Sequence, residues 1–245
     1  MTPRTVEARP WPLGRWKLLC HGSLPQQSRE PPVGKDPAVG LAGRTVIEDS
    51  LHEADLAHQV AARWAGQPGP AVDRQVVEVG AGSGLNFAHY PREVSSVLAV
   101  EPEAHLRRVA LRAARRSPVP IRVQEARAER LPLADQSVDS GVTSLVMCSV
   151  EYPAMALAEL RRVIKVGGEL RFYEHVRGGR LGGAIQDRAD PLWSLLAGGC
   201  HLNRNTEDEI VKAGFVISHL RRVPTRFVGL RVPAPAVIFG SALRA

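Results

Sequence analysis

The stretch VVEVGAGSGLNFAHYP, Val76 to Pro91, decides the fold. Val76, Val77, Glu78 and Val79 have strand character, and Gly80, Gly82 and Gly84 follow at every second position. A short β-branched run that stops in glycines and leads into a short helix from residue 85 is the opening unit of an open α/β sheet. Glycines in that turn allow unusual backbone angles and let a ligand approach without a Cβ in the way. A helix N-terminus behind the turn offers free N–H groups. Ligands of such sheets bind outside the carboxyl ends of the strands, at the switch point of the strand order.

Outward from this stretch the units alternate. Strands are expected over 75–79, 97–101, 121–124, 138–145, 169–174, 216–221 and 236–241. Helices are expected over 45–66, 104–116, 154–164 and 206–213. Strands alternating with helices of this length predict an α/β fold, a Rossmann-like doubly wound seven-stranded sheet. The segment RRVPTRFVGLRVPAP between the last two strands is too short for a crossover helix, so the sheet is mostly parallel with an antiparallel last strand. Residues 1–44 differ, because Pro3, Pro10, Pro12, Pro25, Pro31, Pro32 and Pro37 break any periodicity. They read as a Pro/Gly/Arg-rich, poorly ordered arm, with the domain proper over 45–245.

Composition narrows the classes. The 245 residues are 44% hydrophobic, ordinary for a globular chain. No apolar run is long enough for a transmembrane helix, and the start lacks the apolar core of a signal peptide. Cys20, Cys148 and Cys200 form no CxxC pair, which argues against a zinc site or disulfide framework and fits a reducing cytoplasm. The net charge of +7 is nearly all arginine, since lysine occurs only at 17, 35, 165 and 212. These arginines are scattered along helices, a solvated face rather than a nucleic-acid site.

The glycine spacing separates ligands. A dinucleotide fingerprint puts its third glycine at position 85, which is Leu85; here it is Gly84. A P-loop would need G-K-[ST], which is absent. The loop lacks dedicated phosphate features, so a ligand with an adenosine part and an amino-acid tail fits better than NAD. Glu78 suits its ammonium group, directly or through water. Glu101, at the tip of the second strand, suits the ribose hydroxyls.

At this point the sequence resembles class I S-adenosylmethionine (SAM)-dependent methyltransferases. VVEVGAGSG, VLAVEPE, ARAERLPLADQSVD and ELRRVIKVGGEL fall in that family's order over about residues 75–175. Within the class it is most similar to the ubiquinone/menaquinone-type group, and especially to the methyltransferase-like, thiol-methylating subgroup. SLVMCSVEYP, FYEHVRG and DPLWSLLAGGCHLNR carry that similarity to about residue 215. The resemblance implies SAM as cofactor and a small, largely apolar methyl acceptor, with a thiol leading. A quinone-like ring, a hydroxyl, a phospholipid with peripheral membrane contact, and a non-catalytic SAM-binding role are the alternatives. It further implies that Gly80, Ala81, Gly82 and Gly84 line the methionine part with Glu78 nearby, and that Glu101 binds the ribose. Ala128 and Glu129 then sit beside the adenine, and Leu145 and Val146 flank the cofactor. Two departures stand out. Arg127 replaces an aspartate that the family often carries before Ala128, and the Tyr-Asp pair of the family's N-terminal lid helix has no counterpart before Tyr90.

Methyl transfer from a sulfonium is an in-line displacement, so the protein mainly aligns a nucleophile and excludes water. A thiol with a pKa of about 8.5 is already partly ionised near neutral pH, and no catalytic side chain is obligatory. His175 and Cys148 are the catalytic candidates. For His175 a base role stands beside a loop-orienting one, and Cys148 reads as a wall residue near the methyl. Cys200 and His201 read as packing or substrate lining, because two residues make no metal site. Trp193, Leu195 and Leu196 read as a helix over an apolar pocket.

Overall fold

A computed structural model describes residues 74–196, 199–224 and 236–245. The arm expected over 1–44, the helix expected over 45–66 and the lid positions lie outside the described residues. In chain order the elements are β1 (Arg74–Val79), a 3-10 turn (Leu85–His89), β2 (Val94–Val100), α1 (Ala104–Ala114) and β3 (Ile121–Gln124). Then come β4 (Val138–Ser144), α2 (Pro153–Val163), β5 (Ile164–Val176), α3 (Arg180–Leu196), α4 (Thr206–Lys212), β6 (Phe215–Pro224) and β7 (Ala236–Arg244).

Local chemistry sets these boundaries. The Glu103 carboxylate accepts the free amides of His105 and Leu106 at 2.9 and 2.6 Å and so starts α1. Pro153 opens α2 at a position where its missing N–H costs nothing. Gly214, at φ +87°, closes α4. The segment after the glycine loop is a 3-10 turn, not an α-helix. Only five residues separate Gly84 from Tyr90, and Pro91 holds Tyr90 extended.

The seven strands lie in the order β3-β2-β1-β4-β5-β7-β6. β1 pairs in parallel with β2 and β4, β2 with β3, and β4 with β5. β7 is inserted antiparallel between β5 and β6. The strand order reverses between β1 and β4, so the carboxyl ends of these two strands open the binding crevice.

Both faces of the sheet are covered, which is why Val76, Val77, Glu78 and Val79 are all buried. One face packs Val77 and Val79 with Leu157, Leu160, Leu170 and Ile238. The other packs Val76 with Phe87, Tyr90, Val97, Ala110 and Val142. Leu157 and Leu160 are fully buried, a contribution of about 2 kcal/mol each.

Candidate functional site at the carboxyl edge of the sheet

Gly80, Gly82 and Gly84 all have positive φ, at +65°, +55° and +82°, but they serve different ends. A Cβ on Gly80 would lie 2.5 Å from the Val146 side chain, and one on Gly84 would lie 2.7 Å from Phe87. These two let the loop pack. A Cβ on Gly82 would meet nothing within 4 Å. Gly82 therefore presents bare main chain to open space, the form of cradle a bulky adenosyl ligand needs. Ala81, the remaining loop residue expected to line the ligand, is buried, and its amide donates to the Val100 carbonyl at 3.1 Å.

Two carboxylates hold this loop. Glu101, at the end of β2, accepts the Gly82 amide on Oε2 at 2.8 Å and the Glu103 amide on Oε1 at 2.9 Å. Glu101 thus stands directly beside Gly82. Glu78 is 1% exposed. Its Oε1 accepts from Asn86 Nδ2 at 2.8 Å and its Oε2 from the Tyr90 hydroxyl at 2.6 Å. Burial raises its pKa to about 7, against the lowering effect of those two bonds. Glu78 ties β1 to the 3-10 turn from beneath the loop. Asn86 and Tyr90 were not among the expected site residues; eight and twelve positions downstream, they carry no periodic signal.

At the positions expected to border the adenine, Ala128 is buried, and Glu129 accepts from the Tyr152 amide at 3.4 Å. Arg127 is turned outward and bridges to Glu151 at 3.1 Å and to Glu129 at 3.6 Å. A depression of about 700 Å³ runs along Glu125, Ala126, Arg127 and Arg130–Leu133. At the end of β4, Leu145 has φ +57°. A bulky residue in the left-handed region is an outlier of the kind that gathers at ligand sites. Its amide donates to the Tyr173 carbonyl at 2.7 Å.

Beside the ends of β4 and β5, three stretches of chain meet. His175 Nδ1 lies 4.0 Å from Cys148 Sγ and 3.8 Å from Cys200 Sγ. The segment around Cys200 is fixed by main chain. The His201 amide donates to the Cys148 carbonyl at 2.7 Å, and the Arg177 amide to the Arg204 carbonyl at 3.0 Å. The Arg204 guanidinium donates to the Met147 and Val150 carbonyls at 2.5 and 2.7 Å. The neighbouring Cys200 thiol pushes Cys148 up, with burial adding to it, and Cys148 in turn lowers Cys200, with Trp193 and Ser149 assisting. Burial raises Glu174 to about 8; its Oε1 accepts the Val146 amide at 3.3 Å.

Cys200 faces Cys148 and His175, while His201 Nδ1 pairs with Asp190 at 2.7 Å. One sequence expectation is corrected here. Leu195 does not cover a pocket: it is 79% exposed. Trp193 is half-buried and lies against Cys200.

The Methyltransferase domain family matches residues 77–172. Thiol S-methyltransferase TMT1B of Rattus norvegicus is 36% identical over 174 residues, covering 69% of this chain and 70% of that protein. The chain belongs to the SAM-dependent methyltransferase family. TMT1B of Homo sapiens is similar to this methyltransferase at 33% identity over 174 residues, with the same coverage of 69% and 70%. Among solved structures, geranyl diphosphate C-methyltransferase of Streptomyces coelicolor A3(2), determined with S-adenosyl-L-homocysteine (SAH), superposes with a TM-score of 0.61. It shares 17% identity, covers 86% of each chain and matches the fold. The cofactor of this methyltransferase is SAM. The open cradle at Gly82 beside Glu101 fits that group.

Proposed function

We propose that the protein methylates a small, largely apolar thiol at the carboxyl ends of β4 and β5. The 36% identity to a thiol S-methyltransferase over 69% of the chain supports this reading most strongly. The sulfur- and imidazole-lined site beside β4 suits a compact acceptor, and among the described residues no helix is long and apolar enough to cross a membrane.

The bound SAM supplies an electrophilic methyl group on a sulfonium. The protein's own residues position it. Main chain at Gly82 leaves room for the methionine part, and Glu101 has spare lone pairs for the ribose hydroxyls. Glu78 acts from below, holding the glycine turn through Asn86 and Tyr90. Leu145 and Val146 would flank the cofactor, and Ala128 and Glu129 would border its adenine. Val146, Cys148 and Trp193 screen the reacting atoms from water. Residues 45–245 form the methyltransferase domain in this reading, residues 1–44 an appended arm, and the cytoplasm the working compartment.

Turnover of labelled SAM with a panel of alkyl thiols, alcohols, amines and quinols tests the proposal. Methylation of the thiols is expected. Turnover of another class with thiols inert would overturn it.

A further inference from the structure

We propose that Cys148, His175 and Cys200 form a three-ligand zinc site whose open fourth position takes the sulfur of the acceptor. This rests on the thiol reading and supplies the group that activates the thiol. The three donor atoms come from separate stretches of chain, yet all lie within 4.8 Å of one another.

The geometry fits one ion. Tetrahedral zinc, with bonds of about 2.3 Å to sulfur and about 2.0 Å to nitrogen, places those atoms about 3.6 Å apart. The observed separations from His175 Nδ1 to the two sulfurs are 4.0 and 3.8 Å. Closing on a metal therefore takes a few tenths of an ångström along each nitrogen–sulfur pair, and the two sulfurs lie within 4.8 Å of each other. The frame is already fixed, because the His201 amide and the Arg204 guanidinium pin the Cys200 segment to the carbonyls around Cys148. Two sulfurs and an imidazole select zinc over magnesium or calcium, which need oxygen ligands. Three protein ligands leave one position open, the pattern of catalytic rather than structural zinc. Cys148 is 1% exposed, whereas His175 and Cys200 are half-buried, so the open side faces out past those two.

The chemistry balances. A thiol that binds the metal loses its proton to solvent and becomes a thiolate. The zinc, the two cysteine thiolates and the substrate thiolate together carry one negative charge, opposite the positive sulfonium. The thiolate electron pair forms the new carbon–sulfur bond, and the sulfonium–methyl bond breaks with its pair left on the cofactor sulfur. The product thioether is neutral, a weaker ligand than thiolate, and leaves.

The test uses the full chain purified under reducing conditions. Stoichiometric zinc is expected. Cys200→Ser should weaken zinc binding by more than the roughly 100-fold that loss of an outer-shell partner costs. Cobalt-loaded protein should show a thiolate-to-metal charge-transfer band that grows when an alkyl thiol is added and is lost in His175→Ala. A Cys148–Cys200 disulfide in place of metal, or equal zinc affinity in wild type and Cys200→Ser, would overturn the proposal. So would thiol methylation by metal-free protein at the zinc-loaded rate, which would leave the thiol reading intact. Zinc-loaded protein that binds the metal through these residues but methylates no thiol would overturn the thiol reading and, with it, the fourth-ligand role.

Discussion

At the scale of single residues, the three glycines make separable predictions. Gly82→Val should abolish SAM binding by calorimetry, because the side chain would stand in the ligand's space. The fold should survive, since nothing within 4 Å crowds a Cβ there; the cost is the left-handed backbone, about 1–2 kcal/mol. Gly84→Ala adds a clash with Phe87 at 2.7 Å and should lower stability more than Gly82→Ala does in denaturant titration. Unchanged SAM affinity in Gly82→Val would remove the cradle from the argument. Glu101→Ala should weaken SAM by about 10- to 100-fold, the worth of a charged hydrogen-bond acceptor. Stability should fall as well, because the Gly82 and Glu103 amides lose their acceptor. Unchanged SAM affinity in the folded variant would make Glu101 a loop brace and nothing more.

At the scale of elements, the link from β1 to the 3-10 turn responds to pH. The unfolded chain releases the Glu78 proton near pH 4.5 and the folded chain near 7. Between those values the folded state holds a proton that the unfolded state has lost, so stability is full below about pH 4.5 and falls as pH rises through 7. The loss attributable to this group is about 3 kcal/mol. Glu78→Gln keeps one acceptor for Asn86 and one donor for the Tyr90 oxygen, and should flatten that part of the stability–pH curve of the ligand-free protein. A curve of unchanged slope would show that Glu78 ionises normally. The pattern of elements was legible where one chain segment carries the whole signal. Glycine spacing marked the turn after β1, and the shortness of the segment of residues 221–235 predicted the antiparallel β7. The longer β5 was not legible, because Gly167 and Gly168 read as a helix stop although the strand runs through them. Glu78's partners and the meeting of Cys200 with His175 were not legible either. Both depend on which loops the sheet order brings together, and no local periodicity encodes that.

At the scale of the whole molecule, the carboxyl edge of the sheet divides into two halves with different supports. The half proposed to hold the cofactor is braced by Glu101 and Glu78 around β1 and β2, and the half proposed to hold the acceptor by the stretch around His201 and Arg204, bonded to the loop after β4 and to the end of β5. Arg204 is the main tie in the second half, donating to two carbonyls of the loop that carries Cys148. Among the described residues the hydrogen bonds of Gly80–Gly84 run within the loop and to Phe87, Val100 and Glu101, and none joins it to Arg204. Arg204→Met keeps much of the side-chain volume and removes both charged donors, a cost of about 2 kcal/mol. Its effect on function should fall on one half only. SAM affinity should stay within about 3-fold, because the cradle keeps its own carboxylates. Thiol turnover should drop by about 10- to 100-fold, the penalty for a reacting group displaced by a fraction of an ångström. Calorimetry with SAM beside single-turnover methylation separates the two. If affinity and turnover fell together, the edge would behave as a single unit, and the acceptor segment would have to be counted among the supports of the cofactor cradle.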